Sequence, residues 1–256
     1  MTKVSILIPF GVVPGDPAGP HRRRVWDFLR PLWEKVCERR GWQLVECTDP
    51  LAGQVLPWTY KSTPEPRWGG HLGKPQPWST ARALHDGMAC AAGDVIFHYG
   101  ADHLPDEPAI LAAIARLDRC DWTMMYQRVK YASEHSTLRL LDAAGFGGPA
   151  LHWTHTVERC IGMWGFRRTA WDLVGGVDPR FVGWGYGDDA FTMMLTEVFG
   201  PCPAGTPGDT LYELWHPGTD RVVGPENPNQ RLFQREYVAH AGDRAYFLGL
   251  KNRWGR

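Results

Sequence analysis

Lys3–Phe10 reads KVSILIPF, a β-branched apolar run that closes on Pro9. An apolar run without alternation suits a strand buried on both faces, as in a parallel sheet, and a proline ends such a strand because it has no N–H for the ladder. A Gly/Pro loop, residues 11–20, separates it from a helical pattern over His21–Arg40 that puts Val25, Phe28, Leu29, Leu32 and Val36 on one side. Gly41 stops this helix, and Pro31 is expected to kink or divide it. Trp42–Cys47 (WQLVEC) reads as a second strand. Strand, helix, strand in that order is the signal of an α/β sheet.

The alternation continues. Residues 48–77 are rich in Pro, Gly and Trp without periodicity, a long loop of the functional or mobile kind. Ser79 is placed to cap a helix to Ala92, Asp94–Tyr99 (DVIFHY) is a third strand, Asp106–Leu117 a helix after Pro105, and Trp122–Val129 a fourth strand. Residues 130–160 read as irregular. Short helices are expected at Arg168–Val174 and Asp188–Phe199, a late strand at Leu211–His216 and one C-terminal helix over Gln230–Leu250. The expectation is one domain, 1–256, with a mostly parallel, doubly wound central sheet flanked by helices. It has two functional halves, 1–129 and 130–256.

Bulk composition excludes more than it identifies. The 256 residues carry 28 basic and 28 acidic side chains, so nothing suggests a long-range field for nucleic acid or an anionic membrane. Val4–Phe10 is too short for a signal core or a membrane span, which leads to an expected cytoplasmic protein. The six cysteines are scattered without a C-x-x-C pair and read as free thiols. Thirteen Trp are unusual; core packing accounts for most, and stacking on a sugar or base is open to some. Arg outnumbering Lys, with frequent Trp, Pro and Gly, suggests a high-GC genome such as an actinobacterium or one of its phages.

Three stretches carry chemistry. In open α/β sheets ligands bind beyond the carboxyl ends of strands. Asp102, in Gly100-Ala101-Asp102-His103 after the third strand, emerges there as a metal ligand or as a simple turn former. The second stretch runs GGVDPRFVGWGYGDDAF from Gly175 to Phe191, with five glycines in its first thirteen residues. Asp188 and Asp189 stand where its helix begins, able to cap it or to accept a proton. The third is His216 in Leu214-Trp215-His216-Pro217, structural or metal-binding.

Together these segments resemble GT-A glycosyltransferases, in particular family-2-like enzymes and the C-terminal segment of galactosyl- and N-acetylgalactosaminyltransferases. The resemblance covers residues 3–30 and 76–250, and its GG…GWG…DD segment is the most specific part. It implies a metal-dependent transfer of a sugar from a nucleoside-diphosphate sugar, with a UDP-sugar favoured, to an acceptor hydroxyl. By the resemblance, Asp102 corresponds to the last Asp of the family's Asp-x-Asp and binds Mn2+ or Mg2+. Asp188 is the base of an inverting displacement, and His216 joins the metal. Pro9, Phe10, Ser79 and Arg82 lie where the nucleotide is held; Trp184, Trp164 and Asp189 lie on the acceptor side. Two departures stand out: Gly100 replaces the first Asp of Asp-x-Asp, with His103 as a candidate substitute ligand, and Gly187 replaces a Glu that often binds the acceptor. Rival readings are a nucleotidyltransferase, which the proline-rich 11–20 loop argues against, and an inactive sugar- or partner-binding module that kept the fold.

Overall fold

The computed structural model describes residues 2–12, 16–54, 77–143, 151–158, 161–202, 209–218 and 226–254. Most of the 48–77 loop, the 145–149 segment and Cys160 therefore lie outside the described residues.

The opening run forms β1 (Val4–Pro9) and, after α1 (Gly19–Arg40), β2 (Gln43–Cys47) pairs parallel with it. Pro31 sits inside α1 without dividing it, and Gly41, at φ 66°, closes the helix in the left-handed region that glycine adopts freely. The buried stripe of α1 is Val25, Trp26, Leu29, Trp33 and Cys37, rotated from the expected one so that two tryptophans face inward. Both satisfy their indole N–H: Trp26 on the Glu46 carboxylate at 3.0 Å, Trp33 on the His103 carbonyl at 3.2 Å. Core packing thus claims these rings.

Next come α2 (Thr80–Cys90), capped by the Ser79 side chain as expected, and β3 (Val95–His98), parallel to β1. After α3 (Glu107–Leu117), the predicted strand 122–129 splits in two: β4 (Trp122–Met124) stays in the main sheet and β5 (Arg128–Ala132) joins a second one. The supposedly irregular middle holds α4 (Glu134–Asp142) and β6 (Trp153–Val157) besides. The short β7 (Trp164–Arg167) follows, then α5 (Arg168–Val174), α6 (Gly187–Phe199) and β8 (Thr210–Glu213), so the late strand ends three residues before His216. The predicted C-terminal helix is two helices, α7 (Pro228–Glu236) and α8 (Arg244–Leu250), because Gly242 turns the chain at φ 84° and Asp243 caps a new start.

The main sheet runs β2-β1-β3-β7-β4, with β7 antiparallel to both neighbours and the other four strands pointing the same way. The expected α/β class, a mostly parallel sheet flanked by helices, is what the structure shows. Alternation along the strands feeds two cores. Ile6, Ile8, Val95 and Phe97 pack with Trp26, Trp33 and Ile110 on one face; Leu7 and Ile96 pack with Leu84, Phe191 and Phe247 on the other. A three-stranded sheet, β6-β5-β8, stands beside it. β2 and β3 flank β1 on opposite sides, so the carboxyl ends of β1 and β3 frame the crevice where such sheets bind ligands. Among the described residues, no helix is long and apolar enough to cross a membrane. Cys37, Cys47, Cys90, Cys120 and Cys202 are free thiols.

Candidate active site

The chain leaving β3 turns at Gly100 and immediately pairs with β8: His103 bridges Glu213, Leu104 N–H donates to the Tyr212 carbonyl at 3.0 Å, and Leu214 N–H to the Asp102 carbonyl at 2.9 Å. This pairing gathers Asp102, Glu213 and His216, whose ligand atoms lie within 4.8 Å of one another. Nε2 of His216 is 3.1 Å from Asp102 Oδ2 and 3.4 Å from Glu213 Oε1. Its Nδ1–H donates to the Pro217 carbonyl at 2.9 Å, which orients the ring and turns Nε2 toward the carboxylates, the usual arrangement of a ligating imidazole.

His103 has a different job from the one its position suggested. Its Nδ1 accepts the Gly100 N–H at 2.8 Å, so Nε2 carries the proton and faces Glu213 at 3.3 Å and Asp102 at 3.4 Å. Both nitrogens are committed, and the ring steadies two carboxylates rather than joining them as a ligand. The Gly100 departure follows: a Cβ there would stand 2.5 Å from Asp102 Oδ1 and 2.8 Å from the His103 ring. Any side chain at position 100 would press on both, and Glu213 places a second carboxylate beside Asp102. Sequence reading missed Glu213, although Glu-x-x-His at the end of a strand was a visible spacing. Burial disfavours the Asp102 anion, yet the imidazoles of His103 and His216 outweigh it and hold this carboxyl well below the usual range. Burial likewise opposes the His216 cation, but its bonds to Asp102 and Glu213 raise it to about 10. Two carboxylates and one oriented imidazole fit a Mn2+- or Mg2+-type cation that displaces the Nε2 proton of His216, and the imidazole favours Mn2+.

The second centre is a cavity of about 450 Å3 between α2 and the glycine-rich stretch, lined by Leu84, Trp164, Phe181, Trp184, Asp188 and Asp189 among others. α6 begins at Gly187 with Tyr186 as its N-cap, so neither aspartate is the cap; both occupy the first turn, where the helix dipole favours negative charge. The loop ahead of it is unusual. Gly183, Gly185 and Tyr186 all have positive φ, and for the tyrosine that conformation costs about 1 kcal/mol. Asn229, buried in the first turn of α7, holds the loop: its Nδ2 reaches the carbonyls of Val182, Trp184 and Gly185 at 3.0–3.2 Å, and its Oδ1 accepts Val182 N–H.

Asp188 is open to solvent on the cavity side while protein packs around its carboxylate. That desolvation first, and the charge of Asp189 second, push the carboxyl up, to about 7. Screening on the open side works against the shift, so its upward direction is what the chemistry uses. Trp184 is 43% exposed on the cavity wall, whereas Trp164 is 1% exposed and forms the floor. Gly187 has room: a Cβ would only touch Phe181 at 3.5 Å.

Of the residues expected on the nucleotide side, Phe10, Ser79 and Arg82 are buried and Pro9 is half-buried. Arg82 is bidentate to Asp49, at 2.8 and 2.7 Å, and donates to the Pro77 carbonyl. Ser79 donates from its backbone to Asp49 and from its hydroxyl to the Phe181 carbonyl. Phe10 packs on Trp26 under Arg23, and Pro9 ends β1 opposite Cys47. These residues shape the crevice from behind. Asp49, which anchors Ser79 and Arg82, was not singled out in the sequence.

No protein-family model and no curated protein sequence matches the chain. Solved structures similar to it are glycosyltransferases. The catalytic domain of Drosophila beta1,4-galactosyltransferase 7 with xylobiose is 15% identical over 91% of this chain and 80% of that one, with a TM-score of 0.47. A mannosyltransferase from Pyrobaculum calidifontis with GDP-Man and Mn2+ is 15% identical over 98% and 68%, at 0.43. Glucosyl-3-phosphoglycerate synthase from Mycobacterium tuberculosis with Mn2+, UDP and phosphoglyceric acid is 15% identical over 99% and 79%, at 0.38. At scores below 0.5, what the chain does rests on its own side chains.

Proposed function

We propose that this chain is a metal-dependent glycosyltransferase that moves a sugar from a nucleoside-diphosphate sugar, with a UDP-sugar favoured, to an acceptor hydroxyl with inversion. The observation that carries this reading is the pairing of an oriented Asp102–Glu213–His216 cluster at the crevice mouth with a separate, upward-shifted Asp188 at the start of α6. Asp102, Glu213 and His216 would hold Mn2+ or Mg2+, which when bound neutralises charge on the leaving diphosphate. His103 keeps the two carboxylates aimed inward.

Asp188 accepts the proton of the acceptor hydroxyl as that oxygen attacks the anomeric carbon on the face away from the leaving group, and inversion follows from this placement. A carboxylate shifted up toward 7 is a stronger base than an ordinary one and stays largely ionised just above that pH. Trp184, exposed on the cavity wall, offers a flat face to the acceptor, and Asp189 supplies the charge that helps keep Asp188 basic. Asp188→Asn tests the assignment. Turnover should fall about 10³-fold, the scale of a lost general base, while calorimetry shows unchanged donor and Mn2+ affinity. Collapse of donor binding in this variant would contradict the role given to Asp188.

A further inference from the structure

Between the two centres lies a buried histidine that the chemistry above does not use. His98 is the last residue of β3, four residues before Asp102, and is 4% exposed. Its Nδ1–H donates to the Gly162 carbonyl. Gly162 stands at φ 100°, and a Cβ built there would be 3.1 Å from both Cγ and Oδ2 of Asp188, so the bare glycine backbone forms the wall against which that carboxylate rests. The His98 ring also stacks on Trp164, centroids 5.1 Å apart at 22°. Trp164 in turn donates to Thr192 Oγ1 on α6 at 3.0 Å and meets Phe191 edge-on.

One imidazole therefore braces the helix that carries Asp188 by two routes, through Gly162 and through Trp164. It does so from the strand that leads to Asp102. We propose that His98 is a positioning residue, setting the place of the Asp188 carboxylate relative to the metal cluster; this rests on the transferase reading of the two centres. A neutral ring suits the task, since Nδ1–H donation to a carbonyl fixes the tautomer and does not change with pH. Burial keeps the ring neutral, holding it down at about 4 even though the Gly162 carbonyl and Asp102 favour the cation; His103 opposes it.

Two substitutions separate positioning from packing. His98→Asn retains an N–H donor close to the position of Nδ1, whereas His98→Phe retains the ring on Trp164 and loses the donor. The first readout needs no substrate: titration of the Asp188 carboxyl by carbon NMR, assigned with Asp188→Asn. Asp189 is the charged group facing Asp188, and Asp102 and His103 face His98; none of them is altered. In His98→Phe the Asp188 value should drop by about one unit toward the ordinary carboxylate range as Gly162 moves away, and in His98→Asn it should hold. The second readout is UDP-sugar hydrolysis with Mn2+. For His98→Phe, kcat should fall about 10- to 100-fold with donor KM unchanged, as a displaced base requires, and His98→Asn should recover most of it. Gly162→Ala, with its Cβ driven into the carboxylate, should copy the kcat loss with His98 intact. An Asp188 titration that is the same in all variants overturns the proposal. So does a shift that is equal in His98→Asn and His98→Phe. A wild-type protein that hydrolyses no donor contradicts the transferase reading instead and leaves the titration to decide the role of His98.

Discussion

Asp102 and Asp188 are the same residue in opposite surroundings. Asp102 sits among imidazoles that overcome its burial and hold it ionised; Asp188 is open on its cavity side, and the protein packed against its carboxylate, then the charge of Asp189, lift it. One environment suits a ligand and the other a base, so under the proposed function a single residue type would serve two roles in one cleft. The two regions also differ in what keeps them in place. The Asp102 side is cross-linked by strand pairing and imidazole bonds, the Asp188 side by a glycine-rich loop under local strain that a buried amide secures.

The largest effect should come from cutting the polar side. Glu213→Ala removes one of two carboxylates, and Mn2+ affinity measured by calorimetry should drop more than about 100-fold, beyond the 10- to 100-fold typical of losing a group that only orients a ligand. Retained affinity would return the site to Asp102 and His216 alone. Behind the crevice, Asp49→Ala leaves the buried Arg82 guanidinium without its bidentate partner and should cost about 3–5 kcal/mol in denaturant unfolding. Gly100→Ala is next: its methyl has no room beside Asp102 and His103, so Mn2+ affinity should weaken about tenfold. The pH dependence should then separate the two aspartates. The rate should rise with pH because Asp188 must lose its proton, with the limb above the ordinary carboxylate range. The smallest effect belongs to Gly187→Ala, which meets only ordinary contact. It should change stability by under about 1 kcal/mol, in the stabilising direction, measured as Tm. Of Gly100 and Gly187, only Gly100 would bring a Cβ closer than 3.0 Å to its neighbours.

The fold was legible where apolar periodicity is strong. β1, α1, β2, α2, β3 and α3 lie within a few residues of where sequence placed them, since their side chains enter the two cores. Legibility failed where elements are short or half-exposed. β6 has four exposed residues in five and owes its existence to pairing with β5. β7 has four residues and a glycine, Gly165, which Phe97 of β3 covers. The break between α7 and α8 was visible as Gly242-Asp243, a stop followed by a cap, but the apolar spacing on either side masked it. Asp188, Asp102 and His216 could be singled out in the sequence because each follows a strand or opens a helix. Glu213, His98 and Gly162 were not, because their roles come from who stands across from them in space.

The most direct measurement of the central claim is release of nucleoside diphosphate from a panel of UDP-, GDP- and dTDP-sugars, with and without Mn2+. The account predicts release from at least one donor, strongest for a UDP-sugar, abolished by chelation and restored by Mn2+. No release from any donor with metal present, or release indifferent to chelation, would contradict it.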